Sequence, residues 1–587
     1  MTRNAVPLRQ QKSDGTTPVV LEEAHARVQL RDTMQSMVDA TREDVQDIEN
    51  FYHVNFSSTR IKRLQETFED RLSHLKALSF DKLSHEDRTD YILLQKYCLR
   101  QLDGLSDFVS MHSRSKPLLE PFSSRLVDLL ESRQRVTPIS GKTAAEALAQ
   151  ADELVQQKQQ AVADGSLKLV GEHARFAAFN AVHAIKELCS HLEEWISFYK
   201  GYDPTITWWV VAPHESLVQS LRKYSGLVRK ELVGINENDN DAIVGQPIGR
   251  TALLHHLDSA FIACTPEELI KIGEREYAWC EKQMKKASQD LGYGDDWKAA
   301  LEHVKDEYVE PGQQTQLVHQ LSKEAIEYVK KHDMVTIPKI AEECWRTYMI
   351  PPEQQKVNPF FLGGPYIQVS YPTDSMSHSE KLMSMRGNNR PMSRSTVFHE
   401  LIPGHHLQYH MIARHRSYRT FFTTAAWMEG WAFYWEFILW DRGFAATPGE
   451  KIGMLFWRMH RCARIIFSVS FHMGRMTPQE CIDYLVEKVG HERATAEGEV
   501  RRSFNGEYGP LYQAGYMIGA LQFYKLRDEV VGGRGWSEKQ FHDRILREGQ
   551  MPVEILRALL KGERLEKDHK ATWKFYDFCG EAGAASA

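Results

Sequence analysis

Apolar residues recur at three- and four-residue spacing along most of this 587-residue chain. That spacing places them on one face of an α-helix, whereas the two-residue alternation of a half-buried strand is rare here. The clearest helical stretches are 144–165, 176–201 and 265–292. The third begins with Thr265 followed three residues later by Glu268, the pattern of a capping box. The pattern therefore predicts a mainly α-helical protein.

One short segment reads as a strand. PYIQVSYP, residues 365–372, alternates in polarity between Gly364 and Pro372, and it predicts a small β-sheet. The segments 335–375 and 372–395 are rich in Pro, Gly, Ser and Asn, so we expect long loops there.

The loop 236–250 is the best candidate for a boundary within the chain. We expect residues 1–235 to form a helical scaffold, of which about the first 17 residues are disordered. Residues 236–587 are then expected to form a second helical region that packs with the scaffold as one continuous body.

The composition excludes some classes of partner. A formal net charge of −6 gives no reason to expect nucleic acid or an anionic membrane. No run of about 18 apolar residues and no apolar N-terminal segment exists, so we expect neither a transmembrane helix nor a secretory signal. The eight cysteines are scattered without a C-x-x-C pair, which predicts reduced thiols and a cytoplasmic location. A homodimer remains an open alternative.

The fragment VFHELIPGHH resembles H-E-x-x-H, in which two histidines one helical turn apart bind zinc beside a glutamate. His399 and Glu400 stand in place, but Pro403 occupies the position of the second histidine. Proline lacks an N–H and clashes with the carbonyl four residues back, so a regular helix cannot continue here. We expect a bulge in this helix that returns His405 to the side of His399, with the neighbouring His406 as the alternative ligand.

The next apolar segment, AAWMEGWAFYWEFILW, contains two acidic residues, Glu429 and Glu436. Carboxylates in such surroundings are costly unless they are paired or bind a metal. Three protein ligands and a water form a catalytic zinc site, so Glu429 is predicted as the third ligand. Glu436 is predicted to orient an imidazole. The alternative is that both glutamates pair with Arg394 or Arg458.

Further along, Pro510 predicts the start of an apolar helix with Tyr512 and Tyr516 one turn apart. A tyrosine beside a catalytic metal can donate a hydrogen bond to the oxyanion of a tetrahedral intermediate. Tyrosines at this spacing are, however, most often part of a core.

These elements, HELIPGHH, EGWA (429–432) and the series Pro510, Tyr516 and Gly519, resemble the domain-of-unknown-function-885 family of HExxPGHH proteins. The resemblance covers about residues 240–535. That family is distantly similar to helical zinc peptidases such as thimet oligopeptidase, neurolysin and carboxypeptidase Taq. The resemblance implies a large helical zinc-peptidase-like body with a small sheet and a deep cleft. It also aligns the G-H dipeptide of those peptidases with Gly404–His405, which favours His405 over His406.

The motif and the resemblance together predict Zn²⁺ bound by His399, His405 and Glu429, although such a ligand set also accepts other divalent ions. Glu400 is the predicted general base, and Tyr516 the predicted donor to the oxyanion. Candidate substrate-binding residues are His406, Tyr512 and Arg502, with Arg501 and Arg527 as alternatives to the arginine.

The predicted function is zinc-dependent hydrolysis of peptide (amide) bonds in short peptides, with Glu400 assisting attack by a metal-bound water. One alternative is a metal-dependent enzyme that cleaves or forms an amide or C–N bond of a specialised small metabolite. A second alternative is a non-catalytic helical binding protein with a decayed site, although Glu400, Glu429 and Tyr516 are all intact.

Overall fold

The computed structural model describes residues 33–577 except 237–238, 240–241, 356–360 and 506–507. The first residues, predicted to be disordered, therefore lie outside the described part. The structure is mainly helical, as the apolar spacing predicts. The helices before residue 236 are α1 (Thr33–Phe51), α2 (Ser58–Ala77), α3 (His85–Leu119), α4 (Phe122–Gln134), α5 (Gly141–Ala163), α6 (Ala174–Tyr199) and α7 (Pro204–Val228).

The second part of the chain carries the remaining helices and a parallel pair of strands. The helices as far as residue 387 are α8 (Gly249–Ser259), α9 (Pro266–Asp290), α10 (Trp297–Lys305), α11 (Gln314–Lys331), α12 (Lys339–Glu343), α13 (Pro352–Gln355) and α14 (His378–Gly387). They are followed by α15 (Arg390–Glu400), α16 (His405–Ile412), α17 (Ala425–Asp441), α18 (Pro448–His472), α19 (Pro478–Val489), α20 (Arg493–Phe504), α21 (Tyr512–Arg527), α22 (Glu538–Glu548) and α23 (Val553–Lys561). The strands are β1 (Thr347–Met349) and β2 (Ile367–Val369).

The three stretches with the strongest helical spacing form α5, α6 and α9. At the start of α9, the Glu268 amide donates to the Thr265 hydroxyl at 3.2 Å, and the Thr265 amide donates to the Glu268 carboxylate at 2.7 Å. This is the predicted capping box. The small sheet is also confirmed, because β2 lies within 365–372 and pairs in parallel with β1.

The prediction of an uninterrupted loop over 372–395 is wrong, because α14 and the start of α15 lie there. Ser377 and Glu380 form a capping box at α14, and the Asn389 side chain accepts from the Met392 amide at the start of α15. The polar residues that suggested a loop are helix caps, whose composition is the same as that of loops.

Two large hydrophobic clusters share helix α3. Leu94 and Cys98, near its start, belong to a cluster that also includes α1, α2 and most helices from α8 onwards. Leu118 and Leu119, at its end, belong to a second cluster with α4 to α7. Residues before 236 thus contribute to both clusters, and the division at residue 236 itself remains a prediction.

Helices α17 and α21 pack with their backbones in direct contact. A Cβ atom on Gly519 would lie 2.0 Å from the Ala426 carbonyl oxygen, and one on Gly430 would lie 2.5 Å from the Cα of Gly519. Only glycine leaves room for this approach. It places Glu429 of α17 against Tyr512 at the start of α21.

Gly519→Ala is expected to lower the free energy of unfolding by about 1–3 kcal/mol, because the added methyl group must push α17 and α21 apart. Thermal or urea unfolding measures this change. Gly104→Ala is the matched control, since Gly104 is an exposed glycine inside α3 with nothing within 4 Å of an added Cβ. The control should be neutral or stabilising by up to about 1 kcal/mol. Equal stabilities of the two variants would contradict the close contact.

Among the described residues six cysteines are free, namely Cys98, Cys189, Cys280, Cys344, Cys462 and Cys481. The prediction of reduced thiols throughout is wrong for Cys264, which is disulfide-bonded. Disulfides persist in oxidising compartments, so this bond does not favour the predicted cytoplasmic location, which stays a prediction. Among the described helices, none combines the length and the apolar character needed to cross a membrane.

Candidate active site

The HELIPGHH fragment forms the end of one helix and the start of the next. Helix α15 ends at Glu400 and α16 begins at His405, so the predicted bulge within a single helix is wrong. The peptide bond preceding Pro403 is cis. Gly404 is required beside it, because a Cβ atom there would lie 1.8 Å from the His399 carbonyl oxygen. The chain thus turns sharply between the two helices instead of widening one.

This turn brings His405 back to His399, and both imidazoles face Glu429. The distance from Glu429 Oε2 is 3.2 Å to His405 Nε2 and 3.7 Å to His399 Nε2. Ligands of a tetrahedral zinc ion, at about 2.0–2.1 Å from the metal, lie about 3.4 Å from one another. The Trp431 indole donates to the Pro403 carbonyl at 3.1 Å and so ties the turn to α17. These three side chains fit a zinc ion in donor type and spacing.

A second carboxylate, Glu400, also lies near the two imidazoles. The donor atoms of His399, Glu400 and His405 are all within 4.8 Å of one another. The electrostatics of the two carboxylates differ. Burial raises the pKa of Glu400 despite the nearby imidazoles. At Glu429 the opposing effect of burial is outweighed by His405 and His399, which hold its pKa well below the usual range. Glu429 therefore fits a permanently ionised ligand, and Glu400 a group that can gain and lose a proton.

Glu436 contacts the other nitrogen of His399, with 2.8 Å between Glu436 Oε1 and His399 Nδ1. Such a carboxylate fixes the orientation of a metal-binding imidazole. Arg394 and Arg458 pair with other carboxylates, so the alternative in which they neutralise Glu429 and Glu436 is wrong. Burial lowers the pKa of His399, but hydrogen bonds to Glu429 and Glu436 outweigh it and raise the pKa to about 9.

Two contacts around the site were missed by the sequence reasoning. His405 Nδ1 lies 3.4 Å from Gln408 Oε1, and the Gln408 amide donates to the Trp427 carbonyl at 3.2 Å. His405 and Gln408 are three residues apart on a helix, and this spacing could have identified the pair. A Cβ atom on Gly363 would lie 2.0 Å from Glu400 Oε2, so the backbone before β2 covers the carboxylate.

His406 faces away from this cluster. Its Nδ1 lies 3.1 Å from the Pro365 carbonyl oxygen, and its Nε2 lies 2.9 Å from the Ala341 carbonyl oxygen. Burial lowers its pKa, so the ring is neutral and donates to one of these carbonyls at a time. These contacts join α16 to the loop before β2 and to α12. We therefore do not include His406 in the proposed substrate site.

Both predicted tyrosines reach the cluster from α21, which begins two residues after Pro510. The Tyr512 hydroxyl donates to Glu429 Oε1 at 2.6 Å and so leaves Oε2 to face the imidazoles. The Tyr516 ring stacks near His399 with 6.4 Å between ring centres. Burial, followed by the Glu429 carboxylate, raises the pKa of both phenols, so both keep their protons as hydrogen-bond donors.

The three arginines predicted as alternatives for substrate binding lie on two different helices, α20 and α21. Arg502 is buried, and it donates to the Tyr508 hydroxyl at 3.2 Å. Arg501, its neighbour on α20, is also buried. Arg527 lies at the opposite end of α21 from Tyr512 and pairs with Glu538. Arg502 therefore remains a candidate for substrate binding, whereas Arg527 is committed elsewhere.

Two further arginines, Arg461 and Arg464 of α18, were missed by the sequence reasoning. Their guanidinium carbons lie 5.6 and 4.5 Å from the centre of the Tyr516 ring. Both side chains are buried. Arginines recur at every third residue of α18, at 458, 461 and 464, and so share one face of the helix. Arginines that face a core are a signal of a buried polar site.

The fold and the site define a mainly α-helical protein with a buried cluster of two histidines and two glutamates. The chain belongs to the family described as "Bacterial protein of unknown function (DUF885)", whose sequence model matches residues 31–560. The family resemblance stated above is thereby confirmed.

Two solved structures share the fold. One is a putative lipoprotein of unknown function from Shewanella oneidensis, at 17% identity and a TM-score of 0.67, covering 90% of this chain and 99% of that one. The other is the putative lipoprotein from Colwellia psychrerythraea, at 16% identity and a TM-score of 0.56, covering 91% and 99%. A search among curated proteins finds no match. At such identities these similarities concern the fold alone.

Proposed function

We propose that this protein is a zinc-dependent metallohydrolase that cleaves peptide (amide) bonds of short peptides. The observation that carries the proposal is the position of Glu429 Oε2, at 3.2 and 3.7 Å from the Nε2 atoms of His405 and His399. These spacings match the edges of a tetrahedral zinc site, and a fourth position is left for water or substrate.

His399, His405 and Glu429 would hold the metal. Bound zinc lowers the pKa of water and polarises the scissile carbonyl. Two contacts support the assignment, because Glu436 fixes His399 through Nδ1 and Tyr512 fixes Glu429 through Oε1. Both leave the atoms that face the cluster free to bind a metal. The donor set also accepts cobalt, manganese or iron.

Glu400 would act as the general base. It removes one proton from the attacking water as the C–O bond forms, and it delivers that proton to the nitrogen as the C–N bond breaks. The products are an amine and a carboxylic acid, which ionises by releasing the second proton of the water to solvent. Its raised pKa supports this role, since a base that must return its proton works best near the ambient pH. The backbone at Gly363 lies against Glu400 and limits the access of bulk water to it.

Tyr516 would donate a hydrogen bond to the carbonyl oxygen as negative charge develops on it. Its hydroxyl stays protonated because burial and Glu429 raise its pKa. Tyr512 is committed to Glu429, so it positions the metal ligand and does not contact substrate. We thus assign the two tyrosines, which the motif and the family resemblance predicted as site residues, to different tasks.

We also infer that the fold is related to that of helical zinc peptidases such as thimet oligopeptidase, neurolysin and carboxypeptidase Taq. The order of elements supports this relation, because a helix ending in His-Glu is followed by a glutamate on a second helix and by a tyrosine on a third. The two-residue longer spacing to His405 sets this chain apart, and the turn at Pro403–Gly404 accommodates it.

The test is mass-spectrometric profiling of a peptide library with the purified protein, with and without a chelator. We expect cleavage of short peptides that chelation abolishes and added zinc restores. Full zinc occupancy without cleavage of any peptide would contradict the peptidase proposal and favour the alternative of an amide or C–N bond in a small metabolite. Failure to bind zinc would contradict the metallohydrolase and favour a non-catalytic binding protein.

A further inference from the structure

Three buried guanidinium groups lie beside the proposed catalytic tyrosine. Arg461, Arg464 and Arg502 are 6, 5 and 9% exposed. The first two contact the face of the Tyr516 ring, and the third lies 5.0 Å from the centre of the Tyr508 ring. This cluster lies on the side of Tyr516 formed by α18 and α20.

The nearby carboxylates do not satisfy all three of these groups. Glu499 binds Arg464 through two hydrogen bonds of 2.7 and 3.0 Å, and it lies 3.9 Å from the Nη1 atom of Arg502. Glu436 lies 3.7 Å from the Nη2 atom of Arg461, but its nearer oxygen is bonded to His399. Only Arg464 therefore has a carboxylate of its own.

The other two arginines each have a donor atom that lacks a hydrogen-bond partner within the described part of the chain. The Nε atoms of Arg461 and Arg502 are buried and have no hydrogen-bond partner among the described residues. Burying a charged donor without a partner is costly, and a bound anion would offset that cost at both arginines. His460 adds no charge, because burial and then the nearby arginines hold its pKa well below the usual range.

We propose that Arg461 and Arg502 bind a carboxylate group of the substrate. This inference rests on the proposed hydrolase function and specifies its substrates as amides with a carboxylate within one residue of the scissile bond. The guanidinium fork matches the two oxygens of a carboxylate. Arg461 Nη2 lies 3.7 Å from Glu436, whose Oε1 is bonded to His399, so the arginine cluster lies beside the proposed metal ligands.

The carboxylate has two possible sources, the free C-terminus of a peptide or an acidic side chain. Three substrates separate them in assays of the metal-loaded protein: N-acetyl-Gly-Phe, its C-terminal amide, and N-acetyl-Gly-Glu amide. We expect kcat/KM to be about 10- to 100-fold higher for a substrate with the carboxylate, the range expected for charge-assisted hydrogen bonds. A preference for the first substrate identifies the C-terminus, and a preference for the third identifies the side chain. Equal cleavage of all three overturns the proposal.

Binding is measured separately from activity by calorimetry of the Glu400→Gln protein, both with zinc and without it. N-acetyl-Gly-Phe and N-acetyl-Gly-Glu amide are the carboxylate probes, and N-acetyl-Gly-Phe amide is the uncharged reference. We expect one carboxylate probe to bind at least about 10-fold more tightly than the reference, and Arg461→Gln in the same protein to abolish the difference. Selective binding without hydrolysis by the wild-type protein would preserve the carboxylate site and contradict the proposed function. Hydrolysis without selective binding of a carboxylate probe would support the proposed function and contradict the carboxylate site.

A matched control variant distinguishes loss of the carboxylate site from loss of folding. Arg458, on the same helix, has its own partner in Glu276 at 3.0 Å and packs against Trp279. Arg458→Gln is therefore expected to lower the melting temperature while leaving the preference for the carboxylate unchanged. Arg461→Gln should abolish the preference without lowering the melting temperature, because Arg461 lacks a full partner. A lower melting temperature of Arg461→Gln with the preference intact would assign Arg461 a structural role and overturn the proposal.

Discussion

Replacing Glu400 by Gln is expected to leave zinc bound at full occupancy and to lower kcat by about 10²- to 10⁴-fold, the usual contribution of a general base. Gln has nearly the same shape, so it fits against the backbone at Gly363, but it cannot accept the proton of the attacking water. The assay compares turnover of a peptide identified in the library with the zinc content of the same sample.

Glu554→Gln is a suitable control for this experiment. Glu554 is also a buried glutamate, but its oxygen accepts from the Thr572 amide, far along the chain from the proposed site. The control variant should keep wild-type turnover. If Glu400→Gln also keeps wild-type turnover, Glu400 is not the base and the proposed mechanism is wrong.

Replacing His405 by Ala is expected to weaken zinc binding by more than about 100-fold, because removing a residue that merely orients a ligand already costs 10- to 100-fold. His406→Ala is the adjacent control. Its ring nitrogens face the carbonyls of Pro365 and Ala341, so the loss should affect stability by about 1–2 kcal/mol and leave the zinc affinity within about threefold.

Competition with a chromophoric zinc chelator measures both affinities, and thermal unfolding measures the change in stability. A larger loss of zinc affinity in His406→Ala than in His405→Ala would reassign the ligand. It would also require the turn at Pro403–Gly404 to change its path, since the structure brings His405 to Glu429 and directs His406 to the carbonyls of Pro365 and Ala341.

Much of the site could be predicted from the sequence because burying its charged residues costs free energy unless they have partners. Glu429 and Glu436 stand in an apolar helix, where a carboxylate needs a partner, and the partners found are His405 and His399. The spacing of Tyr512 and Tyr516 placed both on one face of α21. The mainly helical fold followed from apolar spacing, which depends only on helix geometry.

Other features could not be predicted because they depend on packing between distant segments. The turn after Glu400 is an exception, because Gly404 makes room there for the nearby His399 carbonyl, but this close approach becomes evident only once the path of the turn is known. The contact of α17 with α21 depends on Gly430 and Gly519, which are far apart in the chain. Local spacing contains no information on such approaches.

The arginine cluster shows a second reason why part of the site could not be predicted from the sequence. Arg502 was one of three arginines that sequence alone could not rank, and Arg461 and Arg464 were overlooked because surface arginines on helices are common. Their burial beside Tyr516 becomes evident only when α18 and α20 are packed on α21. The helix start at Ser377 was predicted as a loop, because helix caps and loops share a polar composition.

The central claim is that His399, His405 and Glu429 bind a catalytic zinc ion. X-ray absorption at the zinc edge, on protein purified without chelator, tests it most directly. We expect one zinc per chain with nitrogen and oxygen ligands at about 2.0–2.1 Å, two of them imidazoles. A sulfur ligand at about 2.3 Å, or no zinc bound even after addition of the metal, would contradict it.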